Sequence, residues 1–213
     1  YSNIGVFDFS LGRPPSINSG PDFNMNCATA SISITGHEGF IGGKALTYQW
    51  YYSAPGDTNW TMVPDNIIYD NVTSSTLNIL NTFAVINYQY YCQVKENDHL
   101  CFTASNAVKF KLPTTTWTSS GWTHSGPTSN TMTTLDYAYN TVIDGSFNAC
   151  NLVINTGVIL DVGDATYIQV GKNVLNNGVI ELRTKGAFVQ NGIGGMAGNF
   201  TNNGITRVRK STA

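Results

Sequence analysis

The stretch Asn155-Thr156-Gly157-Val158-Ile159 returns as Asn176-Asn177-Gly178-Val179-Ile180 and again as Asn202-Asn203-Gly204-Ile205-Thr206. Its glycines stand 21 and 26 positions apart. Each copy leads into a short alternating apolar run: Leu160/Val162, Ile180/Leu182 and, more weakly, Thr206/Val208. A repeat of this period marks stacked units, each too small to bury its own apolar face. Asn-Gly is expected to supply a corner with φ > 0, and the β-branched run supplies the strand after it. The pattern predicts a short parallel β-solenoid over 117–210. Nothing in the motif is chemically reactive, so it points to a scaffold.

Composition agrees with an all-β chain. At 213 residues, two domains are the default expectation. Charged residues make up only 11%, about half the usual share, so Asn, Thr, Ser and Gly must cover the surface. That habit is common in secreted β-rich proteins. Net charge is −2, and no basic cluster is longer than Arg207-Val208-Arg209-Lys210. Nucleic acid therefore has no electrostatic footprint here. No run of 18 apolar residues occurs, and membrane insertion is not expected. The chain opens at Tyr1 without Met, which reads as a processed protein or a fragment of a longer one. Three sequons begin at Asn59, Asn71 and Asn199, a number that chance supplies in so Asn/Thr-rich a chain.

Upstream of the repeat the rhythm changes. Short alternating strands recur every 8–12 residues from 27 to 112, as in a β-sandwich. They include Ala30–Thr35, Leu46–Tyr51, Trp60–Val63, Thr76–Leu80, Tyr88–Val94 and Ala107–Leu112. Before them, Val6, Phe7, Phe9 and Leu11 alternate briefly, and Ser16–Pro21 reads as turn and linker. Pro113 with Thr114–Thr116 forms a stiff boundary. The expected division is an N-terminal strand and linker at 1–26, a sandwich at 27–112, and a Trp-capped solenoid module at 113–213.

Leu46-Thr47-Tyr48-Gln49-Trp50-Tyr51 resembles strand C of an immunoglobulin-like domain, with its buried Trp. Leu77-Asn78-Ile79 resembles strand E, and Tyr90-Tyr91-Cys92 the tyrosine corner of strand F. The resemblance covers about 85 residues and implies a core around Trp50, Tyr90 and Cys92. One departure stands out: Cys27 lies 23 residues before Trp50, too far for the strand-B cysteine, so Ile32 and Ile34 take the inward positions. The stretch from Trp117 through Gly121-Trp122 and Gly126-Pro127-Thr128, followed by Thr141–Phe147 and Ala149–Ile154, resembles modules of Bacteroidetes surface proteins. There a Trp-rich entry leads into solenoid coils beside immunoglobulin-like repeats, in cargo of the type IX secretion system. This implies an extracellular or cell-surface location and an adhesin-like role.

Four cysteines allow three full pairings, and spacing does not choose among them. Cys92 and Cys101 flank a hairpin tip, so a bridge between them is geometrically possible. Related extracellular β-domains instead tie an entrance cysteine to the last hairpin, which implies Cys27–Cys101, with Cys92 buried beside Trp50. Such a bridge is worth about 4 kcal/mol by chain entropy. Cys150 is then expected to be a reduced thiol in the solenoid core.

Catalysis finds little support. A nucleophilic cysteine needs a base, and the histidines are His37, His99 and His124. His99 is near Cys101, but both read as an exposed hairpin end. No Cys-x-x-Cys or His-x-x-x-His spacing occurs, and Asp57, Asp65 and Asp70 read as solvated turn residues rather than calcium ligands. Glu38, Glu96 and Glu181 lie on separate elements, and Asp161 and Asp164 flank a corner, whereas a glycosidase needs two carboxylates facing across a cleft. The expectation is no catalytic residue, no metal and no cofactor.

Aromatics are the functional candidates. Tyr51, Tyr52, Trp60, Tyr69, Trp117, Trp122, Tyr137 and Tyr139 exceed what two small cores need, and Trp60, Tyr69, Trp117 and Trp122 are expected ligand or partner contacts. For Trp117 and Trp122 the competing reading is a cap on the open end of the solenoid. The chain is expected to be a non-catalytic structural or adhesive module of a bacterial extracellular or cell-surface protein. Its expected partners are other domains of its polypeptide, or copies of itself through addition of the strand Ile4–Leu11 to the final coil. The alternative is a carbohydrate-binding accessory region of a secreted polysaccharide-degrading enzyme, with surface glycans as partner.

Overall fold

A computed structural model describes residues 13–39, 45–97, 100–192 and 197–209. The chain divides into two units: 1–24 with 30–110, and 25–29 with 111–213. The first is an immunoglobulin-like sandwich with nine strands among its described residues: Ser16–Met25 (β1), Ala30–His37 (β2), Leu46–Ser53 (β3), Thr61–Met62 (β4), Tyr69–Asp70 (β5), Thr76–Ile79 (β6), Gln89–Glu96 (β7), Phe102–Ala104 (β8) and Val108–Lys109 (β9). One sheet runs β1-β2-β6-β5. The other runs β4-β3-β7-β8, with β9 also paired to β7.

Alternation decides what these sheets bury. Ile32 and Ile34 on β2, Leu77 and Ile79 on β6, Trp50 on β3, and Tyr90, Cys92 and Val94 on β7 all face the core. Trp50 stands opposite Cys92 and donates its indole N–H to Ser74 O at 2.8 Å, which settles its one polar group. The stretch expected to be a linker, Ser16–Pro21, is instead part of β1, edge strand of the first sheet. Its polar residues suit a strand with one wet face.

The second unit begins with Thr114–Thr118 (β10) and Gly121–Trp122 (β11), an antiparallel hairpin that pairs Trp117 with Trp122. Three parallel stacks follow. Met132–Leu135 (β12), Asn151–Ile154 (β15), Val174–Asn176 (β18) and Phe200–Asn202 (β21) extend from β10. Tyr139–Asn140 (β13), Ile159–Val162 (β16), Val179–Leu182 (β19) and Ile205–Val208 (β22) form the second stack; Phe147–Ala149 (β14), Tyr167–Val170 (β17) and Ala187–Gln190 (β20) form the third. Among the described residues the one α-helical turn, α1, is Thr141–Asp144. This is a parallel β-solenoid of about four turns.

The repeated Asn-x-Gly sits where the chain turns from the first stack to the second. Gly157 has φ +80°, as the sequence predicts. The other two do not need that freedom. A Cβ on Gly178 would lie 2.3 Å from Val158 O, and one on Gly204 would lie 2.0 Å from Gly178 O. There glycine lets successive coils approach, and the expectation of a positive φ holds at the first corner alone. Asparagines finish the turn by bonding between coils: Asn176 Nδ2 donates to Asn202 Oδ1 at 2.7 Å, and Asn203 Nδ2 to Asn177 Oδ1 at 2.9 Å. The corner between third and first stacks differs, spanning one residue after β14, three after β17 and nine after β20.

The core stacks in columns. Leu152, Ile154, Leu160, Val162, Ile168 and Val170 are fully buried, each above its counterpart in the next coil. On the outer side of the second stack, Asp161, Glu181 and Arg207 fall in register. Arg183 grips Asp161 with two bonds of 2.7 and 2.6 Å, and Arg207 reaches Glu181 at 2.9 Å. The Arg183 guanidinium holds the Asp161 carboxyl below the usual range.

The cysteine pairing is the largest correction. Cys27 is bridged to Cys150, 123 positions away, while Cys92 is a buried thiol and Cys101 an exposed one. The expected Cys27–Cys101 bridge fails because residues 25–29 belong to the solenoid unit. The Cys27 N–H donates to Asn130 Oδ1 at 3.1 Å, which fixes that segment there. Cys150, expected to be reduced, is its partner in the one-residue corner after β14.

Candidate functional site

On β7 the side chains of Tyr90, Cys92, Val94 and Glu96 are buried, so period-two alternation turns Tyr91, Gln93 and Lys95 to the other face. Strand β3 pairs with it residue for residue: Tyr51 opposite Tyr91, Gln49 opposite Gln93, Thr47 opposite Lys95. At the flanks β4 sets Met62 beside Tyr51, and β8 sets Ala104 beside Gln93 and Phe102 beside Lys95. The outer face of this sheet thus carries three rows: an aromatic row, an amide row, and a mixed row of Thr47, Lys95 and Phe102.

In the first row the Tyr51 and Tyr91 rings stack at 5.0 Å and 7°, and Trp60 meets Tyr91 edge-on at 4.7 Å. Offset stacks and T-shaped pairs are the favoured aromatic geometries. Burial pushes the Tyr91 hydroxyl pKa up. Trp60, Met62, Phe102 and Leu100 are 39, 56, 53 and 98% exposed. A shallow concavity of about 620 Å³ spans the rows between Tyr51 with Met62 and Phe102 with Leu100, with Gln49 and Gln93 along its floor. Gln49 Nε2 donates to Trp50 O at 3.0 Å and Gln93 Nε2 to Tyr91 Oη at 3.4 Å. Among the described lining residues, Lys95 carries the only charge.

Of the residues expected to make contacts, Trp60 stands on this face. Tyr69 does not: it is 3% exposed, and its hydroxyl lies 3.0 Å from that of Tyr90 inside the core. Its two-residue strand offers no alternation from which inward and outward could be read. Tyr52 stacks on Tyr69 and Tyr88 at 6.2 and 5.7 Å. Trp117 and Trp122 pack on each other and on Tyr139, and Trp122 also on Phe147, over the first coil of the solenoid core. Trp117 Nε1 donates to Ala138 O at 3.0 Å. They cover the first coil as the capping reading expects, and both stay partly exposed. Tyr139 is 2% exposed beneath them, whereas Tyr137 is 55% exposed beside a second groove. Sequence reasoning missed Tyr91, Gln49, Gln93 and Phe102. The signal was present, since Trp50, Tyr90 and Cys92 as core residues force their neighbours outward.

Three of the acidic residues accept bonds from backbone N–H groups. Asp57 accepts from Asn59 N at 3.0 Å, Asp70 from Asn71 N at 2.8 Å, and Glu96 from Gly39 N at 2.5 Å. Among the described residues no group of three or more His, Cys, Asp or Glu could hold a metal ion. His99 and the strand Ile4–Leu11 lie outside the described residues. In the final coil Ile205 and Val208 are 47 and 55% exposed, and Arg209 approaches Glu181 at 3.7 Å. No described helix is long and apolar enough to cross a membrane. The Cys27–Cys150 bridge suits a non-reducing environment.

No protein-family model matches the chain, and no curated protein sequence matches it. Among solved structures the chain is similar to one described as "Structural basis for Dscam isoform specificity", with 18% identity and a TM-score of 0.36 over 49% of this chain. The match spans 26% of that chain. The fold itself is all-β, an immunoglobulin-like sandwich followed by a short parallel β-solenoid.

Proposed function

We propose that the chain is a non-catalytic structural and adhesive module of a bacterial extracellular or cell-surface protein, and that it makes contact through the outer face of β3 and β7. The observation that carries this reading is the cluster of partly exposed apolar side chains Trp60, Met62, Tyr51 and Tyr91 on one sheet face, with Phe102 on the same face across the amide row. Contiguous exposed apolar surface rimmed by polar residues marks interaction sites. Aromatic rings there offer large contact area at little entropic cost. The solenoid serves as the stalk, its end closed by the tryptophan hairpin.

Beads coated with the full chain are passed under flow over intact bacterial cells and over cellulose film. Retention is expected on at least one surface, and the double variant Trp60→Ala/Tyr91→Ala should lose about nine-tenths of it, as truncation of central aromatic anchors does. Equal retention of both proteins, or retention of neither, would refute the reading. Self-association belongs to the same proposal, through the outer edge of β22, where Ile205 and Val208 are exposed. Light scattering across a concentration series tests it, and a constant monomer mass would sink it.

A further inference from the structure

Resting on that contact surface, we propose that its ligand is a neutral polysaccharide lying across β3 and β7, with sugar rings against Tyr51 and Phe102 and hydroxyls on Gln49 and Gln93. The argument starts from what the face can offer. Strand β7 is paired on both sides, to β3 and to β8 and β9, whereas β4 covers β3 at Tyr51 and Tyr52 alone. A peptide seeking an added strand finds no edge on β7, and a ligand lying on the face itself meets side chains rather than backbone. Recognition must come from side chains.

Those side chains alternate in chemistry along the strand. Residues two apart on one face are about 7 Å from each other, so the Tyr51 row and the Phe102 row lie about 14 Å apart with the amides between them. A pyranose chain has the matching amphipathic form, with C–H faces that stack on rings and a rim of hydroxyls that both donate and accept. An amide does the same. The bonds from Gln49 to Trp50 O and from Gln93 to Tyr91 Oη use one N–H of each. The second N–H and the carbonyl oxygen remain open on each amide, held in orientation by the first bond. Charge sets the class. With Lys95 as the single charged side chain among the described lining residues, the face has no array for a polyanion and no carboxylate for a polycation. Its volume of about 620 Å³ falls within the range of small-ligand sites.

The test is titration of the full chain with cellohexaose, xylohexaose, mannohexaose, chitohexaose and hexagalacturonate, followed by calorimetry. At least one neutral hexasaccharide should bind. Tyr51→Ala and Phe102→Ala should each weaken it about tenfold, by loss of a stacking ring. The double variant Gln49→Ala/Gln93→Ala should do so to a similar degree, about tenfold, by loss of two hydrogen bonds. Lys95→Ala should change it less than about twofold, and the melting temperature of these surface variants should stay within a few degrees. Absence of binding by every neutral hexasaccharide would overturn the proposal. So would binding of hexagalacturonate alone with loss in Lys95→Ala, or neutral binding indifferent to all three face variants. If beads adhere through Trp60 and Tyr91 while no saccharide binds or competes, the ligand class is wrong and the contact surface stands.

Discussion

Removing the Cys27–Cys150 bridge should weaken one unit and spare the other. Replacing both cysteines by Ala opens a loop whose ends are 123 positions apart, and the chain-entropy treatment assigns such a loop about 5 kcal/mol. That figure applies if the whole loop is unfolded. If the sandwich remains folded while the solenoid opens, the residues free to wander are essentially 111–150, and the same treatment gives about 4 kcal/mol. Both cysteines lie in the solenoid unit, which is of the order of 100 residues. A domain of that size shifts its melting temperature by roughly 4–8 °C per kcal/mol, so the solenoid transition should fall by roughly 15–30 °C. Differential scanning calorimetry of the wild-type and the Cys27→Ala/Cys150→Ala chain reads both units at once. The reasoning also expects wild-type protein in reductant to approach the double variant. A solenoid transition that stays in place, or a sandwich transition that falls as far, would refute it. So would a Cys27–Cys101 peptide in the non-reduced digest.

The remaining predictions address residues whose environments differ sharply. In native protein a maleimide should label Cys101 alone, since Cys92 is fully buried and burial pushes its thiol up to about 12; mass spectrometry of the labelled peptides checks this. Gly178→Ala should destabilise the solenoid by about 1–3 kcal/mol through backbone overlap, whereas Gly157→Asn should lie within about 1 kcal/mol of wild-type because Asn tolerates left-handed backbone; urea denaturation compares them. Burial raises the hydroxyls of Tyr69 and Tyr139 to about 12. Both folded values lie above the unfolded one near 10, so their contribution is complete below pH ~10 and is lost as pH rises toward ~12. Absorbance titration should show these two ionising only with unfolding; their early titration in the intact fold would contradict the burial.

Much of the architecture was legible because it is periodic. Three copies of Asn-x-Gly mark three successive corners, and the alternation of β3 and β7 puts Trp50 and Cys92 together inside. What escaped was set by contacts between distant segments. Nothing local to Cys27 says that residues 25–29 join the solenoid; Asn130 and Cys150 say so, and both are over 100 positions away. The role of Gly178 and Gly204 was misread for the same reason, since the atom excluding a Cβ belongs to another coil. The candidate site was half visible. Trp60 reads as a surplus aromatic, but Tyr91 was absorbed into the tyrosine corner beside it, and the glutamines carry no motif.

The lengthening corner after β14, β17 and β20 bears on how such a chain can diversify. Growth from one to three to nine residues leaves all three strand stacks in register. Sequence drift in that corner is thereby uncoupled from the hydrogen-bond ladder; the Asn-x-Gly corner varies less, spanning four residues after β15 and two after β18 and β21. That corner is the seam of widest variation, where new loops can be grafted, coil by coil, without renegotiating the fold.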